Sequence, residues 1–165
     1  MKTQSEVKLK KRIKFWIAFF IISLVLSGVT AFAIEAQLEI VVRNLSHVPG
    51  FLREWVDQVY SGVKATNDKY PFISYGTDWL AFAHIIIAIA FIGPYINPVK
   101  NIWVIQFGMI ACLLIIPLAL IAGTIREIPF YWILIDCSFG ILGIIPLYYC
   151  YKGIRRLEHI QLGDN

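Results

Sequence analysis

The sequence predicts an all-α, polytopic membrane protein with four transmembrane helices and one extracytoplasmic amphipathic helix. Three observations carry that prediction. Apolar runs of spanning length cover about residues 15–34, 79–97, 102–123 and 129–151, each near the ~20 residues that cross ~30 Å of hydrocarbon at 1.5 Å per residue. None has the two-residue alternation of a barrel strand, so helices must satisfy the backbone in lipid. Of the 165 residues, 58% are hydrophobic and only 16% charged, with a mean hydropathy of +0.68, far from the composition of a water-soluble domain.

The first run follows Lys8, Lys10, Lys11, Arg12 and Lys14. Lys100 lies between the second and third runs, and Lys152, Arg155 and Arg156 follow the fourth. The positive-inside rule places these clusters, and both termini, in the cytoplasm. The net charge of +4 then reflects topology and anionic lipid, and nucleic-acid binding is not expected. A basic start, an apolar core and Ala31-Phe32-Ala33 also match a cleavable secretory signal. The length of the core favours an uncleaved helix, and either reading puts residues 35–77 outside the cytoplasm.

That segment is the only long polar stretch. Glu35, Glu39 and Arg43 recur every four residues, with Glu39 and Arg43 in the favourable order for an ion pair, and are expected to extend the first helix beyond the membrane. After Pro49-Gly50, Phe51, Leu52, Trp55, Val56, Val59 and Val63 recur at helical spacing opposite Arg53, Glu54, Asp57, Gln58 and Lys64. This predicts an amphipathic helix over residues 50–64. It is either a passive interfacial helix or a lid over a ligand site. Asn67-Asp68 is expected to open a turn, and Tyr70, Pro71, Tyr75 and Trp79 to form an aromatic belt before the second span.

Ionisable residues inside hydrocarbon are costly and mark candidate sites. His84 lies six residues past Asp78 on the second span, and Asp136 six residues past Phe130 on the fourth. Both spans enter from the outer side, so both groups sit about 9 Å deep. Asp78, Ala81, His84 and Ala88 trace a small, polar face, and Asp136, Gly140 and Gly143 trace another, suited to close helix approach. Glu35, Arg126 and Glu127 converge on the same outer side, and Ser23, Ser27 and Thr30 share one face of the first span. Pro117 and Pro146 free backbone carbonyls and are candidate kinks.

His84 and Asp136 are therefore candidate acid/base residues, the carboxylate fixing the imidazole tautomer. The expected ligand contacts are Asp78, His84, Asp136, Glu35, Arg126, Glu127 and Trp55. No nucleophile accompanies them, since Cys137 and Ser138 point away from Asp136 along a helix. Asp78, His84, Asp136 and Glu35 lack metal-ligand spacing, and no metal is expected. Haem would need a second axial ligand, for which His47 is the external candidate, and no cofactor is expected. The plainest reading is that a His–Asp contact ties helices together. A through-membrane proton path has only Gln106 to support it. Cys112, Cys137 and Cys150, an odd number of embedded thiols, are small hydrophobes and not a disulfide framework. His159 is expected at the surface.

The stretch from Tyr75 to His84 (YGTDWLAFAH), with Asn101-Ile102-Trp103 and Ile135-Asp136-Cys137-Ser138-Phe139-Gly140, resembles a group of small uncharacterised bacterial four-helix integral membrane proteins. The resemblance covers about residues 74–156 and implies a bacterial inner-membrane location, without a reaction or cofactor. Size and helix count also agree with the sterol isomerase and sigma-2 receptor superfamily, whose acidic motifs have no residue-by-residue counterpart here. The functional expectation is an outward-facing polar pocket that binds a lipid-like or small amphiphilic ligand. The alternatives are a structural or assembly subunit, and a membrane-embedded acid/base enzyme or proton relay. Membrane lipids are the expected partners.

Overall fold

The computed structural model describes residues 4–44 and 49–163, and all regular structure within them is helical. In chain order the helices are α1 (Gln4–Phe32), α2 (Ile34–Asn44), α3 (Gly50–Lys69), a 3₁₀ turn (Pro71–Ile73), α4 (Tyr75–Ala90), α5 (Ile92–Ile96), α6 (Ile102–Ile125) and α7 (Phe130–Gly163). Four helical stretches are long and apolar enough to cross a membrane: Gln4–Phe32, Pro71–Ile96, Ile102–Ile125 and Phe130–Leu162. Only 11–28% of their apolar windows is buried within the protein. The remaining apolar surface faces outward, which water opposes and lipid accommodates.

Several boundaries differ from the sequence expectation, each for a local reason. The first helix does not continue through Glu35. It breaks at Ala33, where the Ala33 N–H donates to Thr30 O at 3.3 Å and the Gln37 side-chain amide donates to the same carbonyl. The Thr30 hydroxyl bonds back to Leu26 O at 2.8 Å. Competition of this kind for backbone carbonyls ends or bends helices, and Glu35 consequently sits in the first turn of α2. Asn67-Asp68 is not a turn either. α3 runs on to Lys69, the Tyr70 N–H closing on Thr66 O at 2.6 Å, and Pro71 follows. The expected 79–97 span is divided at Phe91, because Pro94 has no N–H to return to the Ala90 carbonyl. Pro117 and Pro146 lie inside uninterrupted helices.

The chain forms two compact units, Met1–Ile22 with Ala88–Asn165, and Ser23–Ile87. In the first, Phe91 is fully buried, with its ring 4.8 Å from that of Phe20 and close to Gly108. α6 and α7 meet along a small-residue seam. A Cβ on Gly140 would stand 2.5 Å from Cys112 O, and one on Gly143 2.8 Å from Cys112 Sγ. The polar start of α1 pairs with the end of α7. Ile13, Ile154 and Leu157 are buried there, and the Cys150 thiol lies 3.8 Å from Ile13 O. Glu6, only 4% exposed, accepts from Lys10 at 2.9 Å and from Gln161 at 3.4 Å. In the second unit, α1 and α4 approach at Gly28, whose Cβ would meet Ala81 O at 2.7 Å.

The α6–α7 turn carries one strained residue. Ile128 N–H donates to Gly123 O at 2.9 Å and Glu127 N–H to Thr124 O at 3.2 Å, the paired bonds of a Schellman cap. The left-handed position is occupied by Glu127, at φ 58°, where glycine is normally found. Glu127→Gly is expected to stabilise the protein by up to about 1 kcal/mol, measured as a raised thermal midpoint in detergent. A lowered midpoint would show that the carboxylate has an offsetting role.

Candidate functional site

The second unit holds an open cleft of about 350 Å³. One wall is the junction between α1 and α2, from Ala31 to Ala36, with Glu39 one turn further on. Asn67 of α3 lines it too, together with Ser74, Thr77 and Asp78 at the start of α4. Glu35 and Glu39 reach this space from α2, which begins just after the break at Ala33. The cleft straddles Phe32, where the first membrane-length stretch ends, and lies just beyond Pro71, where the second begins.

Its polar groups are partly linked. Asn67 Nδ2 donates to Glu35 Oε2 at 2.5 Å, and the Ser74 hydroxyl donates to Asn67 Oδ1. This relay ties α2, α3 and the residue before α4 into one support. Glu39 is held at 2.5 Å by Arg43 on its own helix, the pairing expected from their spacing. Asp78 sits in the first turn of α4, where the helix dipole favours an anion. Its carboxylate has no hydrogen-bond or ion-pair partner among the described residues. The lining contains three carboxylates and no Lys or Arg. Beside it lie the apolar side chains of Phe32 and Ile34. Such a space accepts hydrogen bonds and positive charge at one side and hydrocarbon at the other.

Of the residues expected to contact a ligand, Glu35 and Asp78 line this cleft. Trp55 lies half-buried on α3 and is not part of the lining. His84 belongs to the same unit but sits deeper along α4. Its Nδ1 donates to Leu80 O at 2.8 Å. Its Cβ lies 3.2 Å from where a Cβ on Gly28 would stand, so this face of α4 is a packing face. Asp136, Arg126 and Glu127 belong to the first unit. Asp136 is half-buried, and the Gly140–Gly143 face that it continues packs on α6. The Ser138 hydroxyl is engaged with Ile135 O at 2.6 Å. His47 lies outside the described residues. Gln106 is exposed on the helix face of exposed Trp103, Phe107 and Ile110, so it lines no interior path. Among the described residues, no three His, Cys, Asp or Glu side chains are grouped to hold a metal ion.

Sequence reasoning missed Ser74 and Thr77 and misread Asn67. The Asn67–Glu35 bond joins residues 32 positions apart, and no local pattern reports such a pairing. The available signal was compositional, a polar run just before an apolar span. No protein-family model, curated protein or solved structure matches the chain.

Proposed function

We propose that this chain is a multi-pass protein of a bacterial inner membrane, with both termini cytoplasmic, that binds the head of a small amphiphile in the cleft between α2, α3 and the start of α4. The observation that carries the reading is a lining with three carboxylates and no Lys or Arg that also includes Phe32 and Ile34, at the ends of two membrane-length stretches. A head group that donates hydrogen bonds or carries positive charge suits Asp78 and Glu35. Its hydrocarbon continues along the apolar wall. The distribution of Lys and Arg supports the orientation, and the outward-facing apolar surface supports insertion. α3 then lies on the extracytoplasmic side, over the head-group layer.

The test is binding of a long-chain primary amine to the purified protein in a non-ionic micelle, followed by calorimetry. Hydrogen bonds to charged groups contribute about 1.5–3 kcal/mol, so Asp78→Asn is expected to weaken binding by roughly tenfold or more. Unchanged affinity in both Asp78→Asn and Glu35→Gln overturns the reading.

A second reading, a structural or assembly subunit, draws on the Glu35–Asn67–Ser74 relay, which links three segments without any ligand. It expects Asn67→Leu to lower stability while no amphiphile binds the native protein.

A further inference from the structure

We infer that the end of the first unit where α1 begins and α7 finishes is a docking surface for the phosphodiester head groups of acidic phospholipids. The inference concerns a different surface from the cleft and rests only on the membrane reading.

The two helices stay paired well beyond the apolar part of α7. Gly153 admits Ile13 and Leu9, whose side chains lie 3.0 and 3.6 Å from a Cβ placed there. Ile154 and Leu157 are completely buried. With its apolar side consumed by this seam, the pair turns its cations outward. Lys8, Lys11 and Arg12 of α1, and Lys152 and Arg156 of α7, are all exposed. Among the described residues, none of these five is within ion-pair distance of a carboxylate. The pairs formed at this end are Lys10–Glu6 at 2.9 Å and Arg155–Glu158 at 2.7 Å.

Tyrosines set the height of this collar. Arg12 lies 6.0 Å from the centre of the Tyr149 ring, Lys152 4.7 Å from that of Tyr148 and Lys14 5.0 Å from that of Tyr95. Tyrosine favours the boundary between hydrocarbon and head groups. Exposed Phe15, Phe19 and Ile145 follow on the hydrocarbon side. The cations therefore stand at phosphate level, continuous with the lipid-facing surface, and this continuity selects a lipid phosphate over a soluble one. Arg supplies paired donors to phosphate oxygens and Lys a mobile point charge.

The test is lipid titration of the detergent-solubilised full chain by native mass spectrometry, with phosphatidylglycerol and phosphatidylcholine as probes. Each basic group near an anionic surface contributes appreciably. The native protein is expected to retain phosphatidylglycerol at least roughly tenfold more tightly. Simultaneous Lys11→Gln, Arg12→Gln, Lys152→Gln and Arg156→Gln is expected to bring the two lipids to parity. Arg53→Gln, Lys64→Gln and Lys69→Gln on α3 leave the preference intact. Should the fourfold variant lose its helical spectrum, the native protein is titrated with salt instead. Raising the ionic strength from about 0.05 to about 0.5 M is expected to remove most of the preference. Equal retention of the two lipids by the native protein overturns the inference. So does a preference that survives neutralisation or salt, or displacement of the lipid by equimolar inorganic phosphate. Release of the chain from membranes by alkaline carbonate overturns the membrane reading itself, whereas an embedded chain without lipid preference overturns the docking surface alone.

Discussion

Gly140→Val is expected to cost about 3 kcal/mol, the upper end for overpacking a closely fitted interior. A Cβ at this position would lie 2.5 Å from the carbonyl oxygen of Cys112 and 3.4 Å from the Ile115 side chain. The nearer obstacle is backbone in the middle of α6, which no rotamer change relieves, so the α6–α7 seam must open. Gly143 provides the control. Its obstacle is the Cys112 thiol at 2.8 Å, a side chain that can be shortened. Cys112→Ala is expected to rescue much of the loss caused by Gly143→Ala but little of that caused by Gly140→Val. Thermal unfolding in micelles, followed by circular dichroism, distinguishes the two. Equal rescue at both positions would mean that α6 and α7 do not meet in this register.

Gly28→Val is expected to lower stability by about 2–3 kcal/mol and to weaken amphiphile binding together with it. The obstacle is again backbone, Ala81 O at 2.7 Å, flanked by Ile85 and His84. Pushing α4 away from α1 displaces Asp78, less than one turn before Ala81, relative to the cleft wall formed by residues 31–36. Stability and binding therefore fall together here. Asp78→Asn, by contrast, removes charge without moving a helix and is expected to weaken binding at a stability cost of no more than about 1 kcal/mol. Intact binding in a Gly28→Val protein of lowered melting temperature would separate the cleft from the α1–α4 contact.

The four membrane-length stretches were legible because length and mean hydropathy are local quantities that any helix in lipid must satisfy. The amphipathic α3 and the Glu39–Arg43 pair were legible for a similar reason, since both depend on residues within one or two turns. The small faces were legible in part. Gly140 and Gly143 line a helix seam as their spacing implied, and Ala81 and His84 lie at another. The face that suggested a reactive histidine is thus also the face that packs against Gly28.

Other features turned on competition between partners. Whether Glu35 ends one helix or starts the next depends on which groups claim the Thr30 carbonyl. Asn67-Asp68 has turn chemistry by composition, yet Asn67 spends its amide on Glu35 and its carbonyl on Ser74. Composition and periodicity alone determined the helical class, the number of membrane-length stretches and some of the close helix approaches, Gly140 and Gly143 among them, because those follow from solvent transfer and from 3.6-residue geometry. The break at Ala33, the run of α3 to Lys69 and the meeting of Glu35, Asn67, Ser74 and Asp78 were decided only in the folded chain. The first two turn on competition between near neighbours, at the Thr30 carbonyl and between the Tyr70 N–H and Thr66 O, and the third on the Asn67–Glu35 bond across 32 positions.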